Sequence, residues 1–106
     1  MEYNWVKLPL YDSWDYKYNA NIGTQSIDLR IYYNDRNQTW SFSAAYSDGE
    51  NIIQGSRLIP ISPMNDLKIR GLQGFLWLEP ISQEINETVI NPEQLQKYYN
   101  LYYISY

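Results

Sequence analysis

Polar and apolar residues alternate along much of this chain with the period of two that a half-buried strand requires. In the clearest run, Ile27, Leu29, Ile31 and Tyr33 alternate with Ser26, Asp28, Arg30 and Tyr32. After Asn34-Asp35-Arg36-Asn37 the alternation resumes, with Trp40, Phe42, Ala44 and Tyr46 set against Thr39, Ser41, Ser43 and Ala45. Two amphipathic strands joined by a short polar loop predict an antiparallel hairpin. Asp48-Gly49 predicts the next tight turn. Asn51 to Gln54 then pair back and Gly55 ends that strand, completing a meander. Upstream, Val6, Leu8 and Leu10 alternate with Lys7 and Pro9, an N-terminal strand that Pro9 either ends or places at an edge. Trp14, Tyr16, Tyr18 and Ala20 alternate with Asp15, Lys17 and Asn19 as a second strand.

Downstream the signals shorten. Arg57 to Ile61 reads as a short apolar strand stopped by Pro60 and Pro63. Ser62 to Asp66 is a turn that can open a single helical turn with Leu67, and Gly71 and Gly74 bracket another turn. Phe75 to Glu79 is apolar on both faces, which predicts burial by its own core on one side and by another layer or a partner on the other. Pro80 to Val89 is polar and predicts the longest loop. Asn91 and Pro92 suit the cap and first position of a helix, with Glu93 in the first turn. That helix runs over about 92–98 and leads into an aromatic strand from Asn100 to Tyr106. The expected fold is mainly β: a small antiparallel sandwich or barrel with one short C-terminal helix (about 92–98), formed as a single β domain over residues 1–106.

Composition narrows the chemistry. The chain has 106 residues, 44% of them hydrophobic, enough for one core. No apolar run approaches the roughly 18 residues of a membrane span, so no membrane association is expected. The start, Met1-Glu2-Tyr3, carries an acid where a signal peptide carries a cation, and no secretion signal is expected. Asn37 and Asn86 head Asn-x-Thr sequons, which without a secretory route are chance matches. A net charge of −4 with scattered cations argues against a nucleic-acid surface. There is no Cys and no His. Those two absences remove most transition-metal sites and the nucleophile systems that depend on imidazole or thiolate. Only carboxylate chemistry remains, and spacing identifies no pair among the twelve acids. The expectation is therefore a protein that is not an enzyme, with no catalytic residue, no cofactor and no metal.

The aromatic content is the remaining lead: twelve Tyr and four Trp against two Phe. A closed core favours Phe, because a buried Tyr hydroxyl needs a partner, whereas Tyr and Trp suit surfaces that become buried on association. Trp40, Phe42 and Tyr33 fall on the apolar hairpin face and are assigned to core. Tyr16 and Tyr18 are assigned to cross-strand packing. Tyr98, Tyr99, Tyr102, Tyr103 and Tyr106 cannot all share one core, since a strand points neighbours to opposite faces. One face of the last strand should meet something else, for which a partner subunit is favoured. Exposed Trp and Tyr on a sheet also suit stacking on sugar rings, and these residues alone do not separate the two readings.

The order of features adds to this. A Leu-Pro-Leu strand precedes a hairpin reading Leu29…Tyr32-Tyr33-Asn34-x-Arg36-x-x-x-Trp40. Asp48-Gly49, Gly55, Leu58-x-Pro60, Asn65-Asp66-Leu67, Gly74-Phe75-Leu76 and Pro92…Leu95…Leu101-Tyr102-Tyr103 follow. The series resembles the small baseplate plug family of contractile-tailed bacteriophages, over nearly the whole chain. The resemblance implies a virion structural protein, without activity of its own, that links or plugs the tail tube at the hub and spike. Implied partners are the hub, spike, tube and tape-measure proteins, with copies related by threefold or sixfold symmetry. The implied location is the tail baseplate of the virion, and the host cytoplasm during assembly. The matched positions look like scaffold, with Gly49, Gly55 and Gly74 serving the backbone and Trp40 and Leu29 the core. The segment Tyr11 to Ala20 is more aromatic than the family pattern and leaves its facing open. The alternative is a standalone carbohydrate- or protein-binding β module.

Overall fold

The computed structural model describes residues 3–36, 39–58, 66–81 and 91–105. The alternating segments form strands β1 (Asn4–Leu8), β2 (Asp15–Ile22), β3 (Gln25–Asn34), β4 (Thr39–Tyr46) and β5 (Asn51–Arg57). Strand β6 (Gly74–Pro80), helix α1 (Pro92–Tyr98) and β7 (Tyr99–Ser105) complete the order. They make two antiparallel sheets, one of four strands ordered β2-β3-β4-β5 and one of three ordered β1-β7-β6. The architecture is a sandwich and not a closed barrel, with the one short helix where the sequence predicts it.

The period of two decides which face is buried. Ile27, Leu29 and Ile31 of β3 and Phe42 of β4 turn inward from the larger sheet. Leu76 and Leu78 of β6 and Leu101 and Tyr103 of β7 turn inward from the smaller one. All belong to one apolar cluster between the sheets. Fully burying each such side chain is worth about 1.5–3 kcal/mol, most of it offset by the entropy of ordering the chain. Tyr103 is 0% exposed, yet its hydroxyl donates to the Leu67 carbonyl at 2.8 Å, so the core loses no hydrogen bond. Helix α1 starts at the cap foreseen: the Asn91 side chain accepts from the Gln94 amide at 2.8 Å, and Pro92 occupies the first turn. Leu95 anchors the helix in the core.

Several boundaries differ from expectation for local reasons. The first strand starts earlier than its apolar residues suggest, at Asn4, and it both ends at Leu8, before Pro9, and lies at an edge, as Pro9 requires. Gly55 does not end β5. It takes a left-handed φ of +67°, the Ser43 hydroxyl accepts from its amide at 3.0 Å, and β5 continues to Arg57 across a register shift. Arg57 therefore closes β5 and opens no new strand, and the Leu58 amide extends the pairing by donating to the Trp40 carbonyl at 2.9 Å. The turn before β5 is a three-residue loop, closed where the Tyr46 amide donates to the Glu50 carbonyl at 2.8 Å. No helical turn forms at Leu67: its amide donates to the Gly74 carbonyl at 3.1 Å while Asp66 bridges Phe75. Gly71 lies in a turn between Ile69 and Leu72, whereas Gly74 is the first residue of β6. The rest of the expected 57–61 strand, the turn at 62–65, most of the 80–89 loop, the Asn37 and Asn86 sequons and Tyr106 lie outside the described residues.

Candidate interaction surface

The smaller sheet has a second face. Inward residues pair as Val6, Tyr103 and Leu76 across the three strands, and as Leu8, Leu101 and Leu78. The outward rows are then Trp5, Ile104 and Phe75, and beside them Lys7, Tyr102 and Trp77. Glu79 and Asn100 pair at the end of the same face. This face is aromatic at its centre and polar at its margin. Trp5 meets Tyr102 edge-on with centroids 5.2 Å apart, and Phe75 meets Trp77 at 6.1 Å. Trp5 remains 52% exposed, and Tyr3 next to it is also exposed. The Trp77 indole N–H is buried without an acceptor. Aromatic rings at the centre of a patch, with charge kept to the rim, are the composition of a protein-binding surface.

The last strand bears out the expectation that its tyrosines divide. Tyr103 and Tyr99 enter the core, while Tyr102 stays half-buried on the outward face and Tyr98 is 36% exposed at the end of α1. Phe75 to Glu79 likewise presents Leu76 and Leu78 inward and Phe75 and Trp77 outward. Tyr16 and Tyr18 stack on one another along β2 at 6.2 Å, a same-strand contact and not the cross-strand packing expected, and Tyr11 sits edge-on to both. That resolves the facing of the aromatic segment before β2: it folds back over the rings of β2. Burial pushes the Tyr18 phenol well above its ordinary pKa, and its hydroxyl has no acceptor.

The outward face of the larger sheet has the opposite character. Asp15 and Arg30 form a two-pronged ion pair at 2.9 and 2.6 Å, and Arg30 lies over the Tyr32 ring at 4.2 Å. The Arg30 guanidinium holds the Asp15 carboxyl below the usual carboxylate range. The Asn19 amide donates to Ser26, Asp28 and Ser47 at 2.8–3.1 Å. Arg70 and Glu50 form a further ion pair at the sheet margin. An open groove of about 500 Å³ crosses this face between Arg30, Tyr32, Ser43 and Gln54. The Asp15–Arg30 pair and the Asn19 network satisfy polar groups of this face within the sheet itself.

No catalytic, cofactor or metal residue was expected from the sequence. Among the described residues no cluster of carboxylates is placed to hold a metal ion, and no helix is long and apolar enough to cross a membrane. What the surface can do is bury rings against a neighbour. Sequence reasoning assigned a second contact face to the 75–79 strand and to the last strand separately, but not their joining with Trp5 into one surface, because β1, β7 and β6 are distant along the chain.

The chain is thus a small two-sheet β domain with one polar face and one aromatic face. The family model for the cyanophage baseplate Pam3 plug gp18 matches residues 6–106, and the chain belongs to that family. No curated protein matches it. Membership gives the chain a structural role at the phage tail baseplate, among other tail and baseplate proteins, in agreement with the resemblance drawn from the order of its motifs.

Proposed function

We propose that this chain links or plugs the tail tube where it meets the hub and spike, as one compact β domain over residues 1–106, with no catalytic activity. It is made in the host cytoplasm and enters the baseplate by burying the outward face of the smaller sheet against its neighbours. Those neighbours are the hub, spike and tube proteins, with the tape measure next along the axis, and the copies follow the threefold or sixfold symmetry of the tail. The observation that carries this reading is Trp5: a half-exposed indole beside Tyr102, on a sheet face ringed by Lys7 and Glu79, within a family defined by the baseplate. Large rings in such a position supply most of the binding energy of an interface. The family match also favours an assembly role over a standalone module.

Loss of the gene tests it. Particles grown without this chain should carry tails that fail to assemble or that lack density at the tail axis by electron microscopy, with rescue in trans. Full-length, infectious tails of normal axial density in its absence would overturn the proposal.

A further inference from the structure

A second feature lies at the far end of the larger sheet. The Tyr33 amide donates to the Trp14 carbonyl at 2.8 Å, extending the β2–β3 pairing by one residue beyond Asp15 and Tyr32. Tyr33 in turn pairs with Trp40 of β4. Trp14, Tyr33 and Trp40 thus stand in one row across neighbouring strands. Trp14 lies parallel to Trp40 at 6.1 Å, and Tyr33 meets both edge-on, at 5.0 and 5.6 Å. Trp40 is buried but Trp14 is 48% exposed. An open pocket of about 280 Å³ is lined by Trp14, Tyr33 and Asp35, the last at the end of β3.

The described lining offers two ring faces and one carboxylate. A carboxylate only accepts hydrogen bonds, and the faces of Trp and Tyr rings carry negative quadrupole charge. Asp35 forms no ion pair with any described residue. Trp40, whose indole N–H is the buried donor of the row, does not line the pocket. Among the described residues, ring faces beside a carboxylate that has no ion-pair partner suit a donor-rich cation.

We infer that the Trp14–Tyr33–Asp35 pocket is a receptor for an organic cation, a guanidinium or alkylammonium group, held against the exposed Trp14 ring and paired with Asp35. In an assembly the natural source is an Arg or Lys side chain of a neighbouring protein, and a free polyamine carries the same chemistry. The pocket stands apart from the aromatic face of the smaller sheet, and its binding does not depend on the baseplate reading; only the source of the cation does.

The test uses the purified full chain and follows the Trp14 indole resonance by NMR, assigned with Trp14→Phe. Nα-acetyl-arginine amide should shift it saturably, and the neutral isostere Nα-acetyl-citrulline amide should not. Asp35→Asn should weaken arginine binding at least fivefold while leaving the thermal unfolding of the chain unchanged. An arginine-containing peptide that binds more tightly than putrescine would assign the site to a protein side chain, and the reverse order to a free polyamine. Equal shifts from arginine and citrulline, or an unchanged affinity in Asp35→Asn, would overturn the inference, whatever the outcome of the tail-assembly experiment.

Discussion

Replacing Gly74 by Ala should destabilise this protein strongly, although alanine is ordinarily the better strand residue. The general preference favours Ala over Gly inside a strand by roughly 0.5–1 kcal/mol, because glycine loses more backbone freedom on folding. Here a Cβ at position 74 would meet the carbonyl of Ile104 and lie 2.7 Å from both Cζ and Oη of Tyr103. The first is backbone of the paired strand β7, and the second belongs to a fully buried ring, so neither can yield freely. Overpacking of this kind costs about 1–3 kcal/mol. Displacing the ring would also stretch the 2.8 Å hydrogen bond from Tyr103 to the Leu67 carbonyl, adding about 1 kcal/mol. Set against the preference for Ala, the net loss should be about 1–3.5 kcal/mol, a fall of roughly 0.5–2 M in the urea midpoint at the slope usual for small proteins. Tyr103→Phe alone should cost about 1–2 kcal/mol by orphaning the Leu67 carbonyl. In the double variant the Oη contact is gone, so the two losses should be less than additive by at least about 0.5 kcal/mol. A Gly74→Ala protein as stable as the parent, or strictly additive losses, would refute the close packing of β6 on β7.

The remaining predictions concern other elements. Asn91→Ala removes the side chain that caps α1 and should lower stability by about 1 kcal/mol, with Asn91→Asp nearly neutral, both by chemical denaturation. Tyr18→Phe deletes a buried hydroxyl that has no acceptor and should leave stability unchanged or raise it by up to about 1 kcal/mol. Because burial raises the Tyr18 pKa, the unfolded chain ionises first; stability should fall as pH rises beyond about 10, and less steeply in Tyr18→Phe. Asp15, held low by Arg30, has the opposite sign: its contribution is present above pH of about 4 and fades below it. Since that pair is half exposed, Asp15→Asn should cost under about 1 kcal/mol at neutral pH, and the difference from the parent should shrink as the solution is acidified.

Much of the larger sheet was legible in the sequence because its order is local. Each of its strands pairs with the next along the chain, so alternation and turn residues suffice to place β2 to β5. Helix α1 was legible for a similar reason: Asn91, Pro92 and Glu93 act within one turn. The smaller sheet was not. Its strands are β1, β7 and β6, and no local pattern announces that Trp5 will stand beside Tyr102. Gly55 misled because a glycine at positive φ reads as a strand end, yet here it passes through β5 on a bulge. Tyr103 shows the limit of the aromatic argument. The sequence marks a Tyr as costly to bury, but only the fold supplies the Leu67 carbonyl that accepts its hydroxyl. The sequence placed Trp14 on the second strand and Tyr33 and Trp40 on one hairpin face, but the register that sets Trp14 beside them comes only with the pairing of β2 on β3.

The proposed docking surface is the aromatic face of the smaller sheet. The most direct measurement is the affinity of the purified chain for the hub and spike complex of the same phage, by titration calorimetry, for the parent and for Trp5→Ala. Trp5 sits half exposed on an edge strand, so the substitution should leave the urea midpoint nearly unchanged. Truncation of a central interface ring costs about 2 kcal/mol or more, and the affinity should fall at least roughly 30-fold. Unchanged affinity in Trp5→Ala, with a loss instead from Lys17→Ala on the opposite polar face, would mean that the chain docks through the larger sheet.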